Sequence, residues 1–392
     1  MPTSDAALPG PADGRVAWWA VADGSLDVRG SDAFDGGAEI VVVPVGAVEP
    51  VSLIGHGAEL WRRLIGSGPW EPSALDAADV SLLEEMRVVG LTHLGGRPPT
   101  VVTDLCVPTL SSPLHELVYG VVANVARERG IRCVFIKGPT LHLQGLRERE
   151  HSGDVDVWCE PDRWDDLAEA LATRGWRREA DPWRGTSVNH SATMTPLLWG
   201  CEIDVHRRMP GAVHDDERAF AALWRHSSEV SFAGVRVRVP TPPMHAVVSA
   251  LHGVRPEIGR LGRDAAASEN AVRLLSRPGT LACAKDLGAV VALRTELLEV
   301  VSPSELRGYD QGTPRDWVWR GQPDRVRAYW VALREQRLWL RLRLMFRLLW
   351  PNADVAAESA RRAGDRAGGS VRARLRRIVR GARGWLRTSL HR

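Results

Sequence analysis

Two stretches of this sequence set acidic side chains at alternate positions inside otherwise apolar runs: Asp154-Val155-Asp156-Val157-Trp158 and Glu202-Ile203-Asp204-Val205-His206. Alternate residues of a strand share a face. Each stretch therefore folds as a strand that buries Val155 and Val157, or Ile203 and Val205, while Asp154 and Asp156, or Asp204 and His206, line the opposite face. Taken singly, Asp154-x-Asp156 reads as a solvated edge strand, Asp204 as an ordinary surface aspartate and His206 as a hydrogen-bonding core or surface histidine. Placed side by side, they bring three carboxylates together, and aligned carboxylates repel unless a cation sits between them. Oxygen donors favour Mg²⁺ or Mn²⁺ over zinc.

Upstream, the apolar strand Cys133-Val134-Phe135-Ile136 runs straight into Lys137-Gly138-Pro139-Thr140. Proline suits the first turn of a helix, so a helix starts at Pro139. Its backbone N–H groups, the bare Gly138 and the charge of Lys137 suit a phosphate. The GxxxxGK[ST] spacing of a Walker loop is absent.

Lys-Gly before a helix, then Gly-Asp-x-Asp, then Ile-Asp-Val-His resembles, in order and spacing, the uncharacterised nucleotidyltransferase family of the polymerase-β-like superfamily, over roughly residues 115–300. The resemblance implies an α/β (α+β) fold, a minimal nucleotidyltransferase mixed sheet with flanking helices. It implies that Asp154 and Asp156 bind two Mg²⁺ ions. Asp204 would bind the catalytic ion and orient the acceptor hydroxyl. It gives Lys137, Gly138 and Thr140 to the phosphates, brings Ser152 and Gly153 close to the nucleotide, and sets His206 to support Asp204 or touch substrate. The family's arginine four residues before the first aspartate is Glu150 here, which leaves Arg147 or Arg149 for that contact. In-line attack on the α-phosphorus of a nucleoside triphosphate follows, and loss of Asp154 or Asp156 is expected to abolish turnover.

Residues 1–14 read as a flexible leader without a secretory signal pattern. From 15 to 97, short β-rich pieces with Asp/Gly turns give way to helical spacing at Ala58, Leu60, Trp61, Leu64 and Ile65, and again at Leu82, Leu83, Met86 and Val89. This pattern suggests a winged-helix-like domain. His56 to Leu64, with Leu82-Leu83 and Val89-Gly90-Leu91, resembles the PqqD-like domain that captures leader peptides during ribosomal-peptide maturation. The Pro- and Ser-bearing run 97–113 reads as a linker. A catalytic domain over 114–240, a helical domain over 241–350 and an Arg-rich tail over 351–392 complete the expected order.

Lys+Arg 51 against Asp+Glu 48 excludes a whole-surface polyanion binder. The five cysteines are scattered without CxxC spacing, which fits a reducing cytoplasm. No stretch has the roughly 18 uninterrupted apolar residues of a membrane span. Arg327, Arg334, Arg337 and Arg341 share a helical face over 325–350, with Arg343 and Arg347 opposite, and the stretch reads as a packed terminal helix in preference to an interfacial membrane helix.

The expected function is nucleotidyl transfer from a nucleoside triphosphate to an acceptor hydroxyl or phosphate, with a lasso-type precursor peptide as the acceptor. The alternatives are a non-catalytic peptide or nucleic-acid binder and a toxin-type tRNA nucleotidyltransferase. Nucleic acid is the less favoured partner, because the second N-terminal helix carries Glu84 and Glu85 against Arg87.

Overall fold

The computed structural model describes residues 16–31, 34, 37–46, 49–260, 262–309, 312–362, 371, 374–376 and 378–379. The leader, Asp35 and Gly36 of the expected turn, and most of the Arg-rich tail lie outside them.

The N-terminal unit comprises β1 (Ala17–Ala20), β2 (Gly24–Asp27), β3 (Ile40–Val43), β4 (Val51–Leu53), α1 (Gly55–Ser67), α2 (Ala77–Val88) and β5 (Thr92–Gly95). The expected single small sheet is in fact two. β2, β3 and β4 form an antiparallel meander, whereas β1 pairs antiparallel with β5, a strand that the sequence reading missed. α2 ends just before Gly90, and the chain returns at once beside β1. Most of the apolar spacing read in the sequence holds: Ala58, Leu60, Trp61, Leu64, Leu83 and Met86 join Trp18, Ile40 and Val42 in one buried cluster, Ile65 and Leu82 pack partly buried against it, and Val89 is exposed instead.

The second unit runs α3 (Pro113–Glu128), β6 (Cys133–Ile136), α4 (Gly138–Leu143), β7 (Asp154–Cys159), α5 (Trp164–Ala172), β8 (Trp176–Arg178), β9 (Ser191–Pro196), β10 (Glu202–His206), α6 (Asp216–Arg225), β11 (Ser227–Phe232) and β12 (Val235–Pro240). Its mixed sheet has the order β6-β7-β10-β9-β8, with β10 parallel to β7 and the other neighbours antiparallel. The alternation of each strand divides its side chains between two cores. Phe135, Val155, Val157, Ile203 and Val205 pack with residues of α3 and α5. Val134, Ile136 and Trp158 pack on the opposite face with α7 (Pro242–Gly253) and the helices beyond it. The carboxylates lie on that second face.

α8 (Ala265–Leu275), α9 (Thr280–Leu287), α10 (Arg294–Leu297), α11 (Arg315–Arg320), α12 (Arg325–Arg334), α13 (Leu338–Leu349) and α14 (Ala353–Arg362) make the helical C-terminal region. The packed helix expected over 325–350 is two helices, because the guanidinium of Arg341 turns back onto the carbonyls of Leu333, Arg334 and Gln336 and closes α12 there. In α13 only Leu344 is fully buried, while Trp339 is 84% and Phe346 67% exposed.

The two units share a core. Leu26, Val41 and Val43 of the N-terminal unit cluster with Leu117 and Val121 of α3 and with Val235. Gly120 permits this contact, since a Cβ there would stand 2.9 Å from the carbonyl oxygen of Asp23. The run 97–113, expected as a linker, is strapped to both units: Val102 N–H donates to Ala20, Cys106 accepts from Asp27 N–H, and Glu116 Oε2 accepts from Thr109 and Leu110. Among the described residues no helix is long and apolar enough to cross a membrane.

Candidate active site

The parallel register of β7 and β10 sets Asp154 opposite Glu202, Asp156 opposite Asp204 and Trp158 opposite His206. The two acidic stretches are therefore adjacent. Ligand atoms of Asp156, Asp204 and His206 lie within 4.8 Å of one another, a spacing that could hold a metal ion. Asp154 stands outside that trio, one strand repeat away on the same face.

Asp156 is buried, and burial alone would raise its carboxyl. Two partners outweigh that: Nε2 of His206 lies 2.8 Å from Oδ1, and Nζ of Lys137 donates to the same oxygen at 2.7 Å. Together they hold Asp156 below the usual carboxylate range. Asp154 moves the other way, raised by burial first and then by the charges of Asp156 and Asp204. Asp204 Oδ1 accepts from the Thr193 hydroxyl at 2.6 Å. Of the three carboxylates only Asp156 has a lysine ammonium in hydrogen-bond contact, and a divalent ion could bind between them.

Beside β7, the turn from β6 into α4 is wound through the left-handed region at two successive residues, Lys137 (φ 61°) and Gly138 (φ 58°). Gly138 is required, because a Cβ there would lie 2.6 Å from the Tyr119 hydroxyl oxygen. Lys137 has no such exemption, and a non-glycine residue held there stores about 1–3 kcal/mol. A long-range contact pins it. The Lys137 N–H donates to Nε2 of His245 at 2.7 Å, Nδ1 of that ring meets Gln144 Oε1 at 2.7 Å, and Gln144 Nε2 donates to the Pro240 carbonyl. An accepting Nε2 places the proton on Nδ1, so the ring is neutral. Burial pushes its pKa down to about 3.

The residues expected to cradle phosphate are gathered here, with several of their polar groups engaged inside the protein. The Thr140 hydroxyl donates to Lys137 O, the Ser152 hydroxyl to Asp154 O, and Arg147 Nη2 to Gly138 O and Glu150 O. Arg147, a candidate for the missing phosphate arginine, therefore staples the 147–150 loop to the Gly138 turn. Gly153 leads directly into β7. His252, on α7, lies within electrostatic reach of Lys137, Asp156 and His206. Sequence reasoning missed Thr193 and the roles of His245 and Gln144, which no local pattern marks.

Residues 119–262 match the family model described as an uncharacterised nucleotidyltransferase. That stretch contains every side chain just named, so the class that the domain defines is a nucleotidyltransferase. No curated protein matches the chain. Among solved structures, a lincosamide antibiotic adenylyltransferase, LnuA, bound to lincomycin, is 16% identical over 41% of this chain and 94% of its own, with a TM-score of 0.26. An antigenic nucleotidyltransferase-like protein from Paracoccidioides brasiliensis is 12% identical over 50% of this chain and 92% of its own, at 0.29. Overlaps this shallow say nothing of the chemistry here.

Proposed function

We propose that this protein transfers a nucleoside monophosphate from a nucleoside triphosphate to an acceptor hydroxyl or phosphate, acting in the cytoplasm. The observation that carries the reading is the register that seats Asp204 beside Asp156, with Asp154 on the same face. Asp154, Asp156 and Asp204 would hold Mg²⁺, or Mn²⁺, which when bound supplies charge stabilisation to attacking and leaving oxygens. The chain's own task is positioning and charge placement. His206 braces Asp156 from the end of β10, Thr193 orients Asp204, and Gly138, Thr140, Ser152 and Gly153 shape the backbone against the nucleotide. Lys137, paired with Asp156, is the cation in hydrogen-bond contact with the carboxylates, and its ammonium would sit beside the nucleotide's phosphates.

The acceptor we propose is a ribosomally made peptide of the lasso type, presented by a PqqD-like N-terminal unit. In support, among the described residues β4 is an outer strand with a neighbour on one side only, and an extended peptide can add to such an edge.

The test is transfer of label from [α-³²P]nucleoside triphosphates in Mg²⁺ to pools of precursor peptide and of tRNA, with Asp204→Asn as the control. Label on peptide that disappears in the variant supports the whole reading, and label on tRNA leaves the transferase but replaces the acceptor. Labelling of neither pool overturns it. Asp204→Asn is the better control because its partner is a neutral hydroxyl. Asp156→Ala strands Lys137 and His206 around an empty position, and breaking a buried pair from one side costs about 3–5 kcal/mol. Chemical denaturation should find Asp204→Asn within about 1 kcal/mol of wild type and Asp156→Ala markedly weaker.

A further inference from the structure

Three arginines from separate elements converge beside the carboxylates. Arg208 follows β10 by two residues, Arg255 follows the C-terminus of α7, and Arg320 ends α11. Arg208 donates to Asp316 at 2.6 Å, and Asp316 lies one helical turn before Arg320 on the same face of α11. The loop after Arg255 is tied to the residues after Arg320 by the Gly259 N–H, which donates to Gln322 O at 3.0 Å. Arg255 and Gly321 also line one cavity of about 250 Å³, together with Arg260 and Arg263 and with the carboxylates Glu257 and Asp264; Arg208 and Arg320 do not line it.

Of the three guanidiniums, only that of Arg208 has a carboxylate within ion-pair distance, Asp316. Nε of Arg208 and Nε of Arg320 are buried with no hydrogen-bond acceptor, and buried donors without partners each forfeit about 1–3 kcal/mol. Arg255 has no ion pair among the described residues. Asp316, Glu257, Asp156 and Asp204 supply opposite charge at a distance, but they leave the buried Arg208 and Arg320 Nε donors without an acceptor, and an anion that accepted from them would relieve that cost. Among the charges acting on Arg255, Glu257 comes first and Asp156 and Asp204 follow, so the carboxylates lie within electrostatic range of it. Between them lies His190, whose ring centroid stands 6.0 Å from that of His206. Enclosure first, and then Arg320, His206, Arg255 and Arg208, push the His190 ring well below its usual range, so it is held neutral. Burial, and then Arg255, bring even the Arg320 guanidinium down to about 10.

We propose that Arg208, Arg255 and Arg320 form a polyphosphate-binding site, set across from the carboxylates and separate from the Lys137-Gly138 turn. The ligand is a phosphate-bearing group, supplied either by the triphosphate of the incoming nucleotide or by a phosphorylated acceptor. As the location of a substrate's phosphates this rests on the transferase reading; as an anion site it does not. Guanidinium forks match phosphate oxygens two at a time, which is why arginine, and not the family's glycine turn alone, would hold the charge while Lys137 remains on Asp156.

The experiment is calorimetric titration of the full chain with inorganic tripolyphosphate, without metal, for wild type, Arg255→Ala, Arg320→Ala and the distant Arg87→Ala. Arg255 and Arg320 are chosen because neither holds the fold through an ion pair, and unchanged melting temperatures check this. Binding that weakens about tenfold to a hundredfold in the first two variants, and not in Arg87→Ala, supports the site; absent wild-type binding, or equal binding by all four proteins, overturns it. Repeating the titration with α,β-methylene nucleoside triphosphates and with a phosphoserine peptide identifies the source, since only the ligand that uses the site loses affinity. Tripolyphosphate binding that depends on the arginines, in a protein that labels no acceptor, would keep the site and sink the transferase reading. Labelled transfer with arginine-independent binding would do the reverse.

Discussion

Lys137 concentrates what a single residue can do in this protein. Its backbone sits in a region that L residues avoid, its N–H is spent on His245, and its ammonium neutralises Asp156. The ring of His245 can accept that N–H only while neutral. Its folded pKa of about 3 lies below the ordinary 6.5, so the unfolded chain binds the extra proton between those values. Stability from this group is complete above pH 6.5 and is lost as pH falls toward 3, by up to about 1.4 kcal/mol per pH unit. Urea unfolding followed from pH 7 to 4 should show a shallower acid loss in His245→Ala than in wild type, and parallel curves would exclude a ring held neutral by burial. The paired aspartates were legible in the sequence because alternation within one strand announces itself locally. The His245 contact was not, since its partners lie 108 residues apart and only folding makes them neighbours.

At the scale of elements, period told more than composition did. The alternation in β7 and β10 gave both the buried and the polar faces, and the helical spacing over 58–65 and 82–89 marked α1 and α2. β5 escaped because Thr92–Gly95 is too short and too mixed to show a period of its own; it is a strand only because β1 lies beside it. The region 325–350 reads as one amphipathic helix whose arginines fall on more than one face, and the structure resolves that conflict by breaking it at 335–337. The consequence for α13 is a helix anchored at Leu344 and open along Trp339 and Phe346. Leu344→Ala should cost about 2–5 kcal/mol, whereas Trp339→Ala should change stability by less than about 0.5 kcal/mol. Thermal denaturation of both variants measures this, and a large loss on removing Trp339 would mean that α13 is covered in solution.

Across the whole molecule, the boundary expected near 97–113 is a change of role more than a break in the fold. One apolar cluster runs from Leu26 and Val43 through α3 into the sheet that carries the carboxylates, so the N-terminal unit is held at a fixed attitude to the site. The joint has a polar pin as well: Arg174 pairs with the fully buried Asp23 of the N-terminal unit and with Glu128 of α3. Removal of Arg174 leaves Asp23 buried without its cation, and such a break costs about 3–5 kcal/mol, more than removing both partners together. Arg174→Ala should therefore destabilise more than Arg174→Ala with Asp23→Ala. Because the cluster is shared, calorimetry of each variant should show one transition moving to lower temperature, and not an early transition that melts residues 16–96 alone. A separate early transition would show the units to be independent, and a peptide held on the N-terminal unit would then have no fixed path to Asp204.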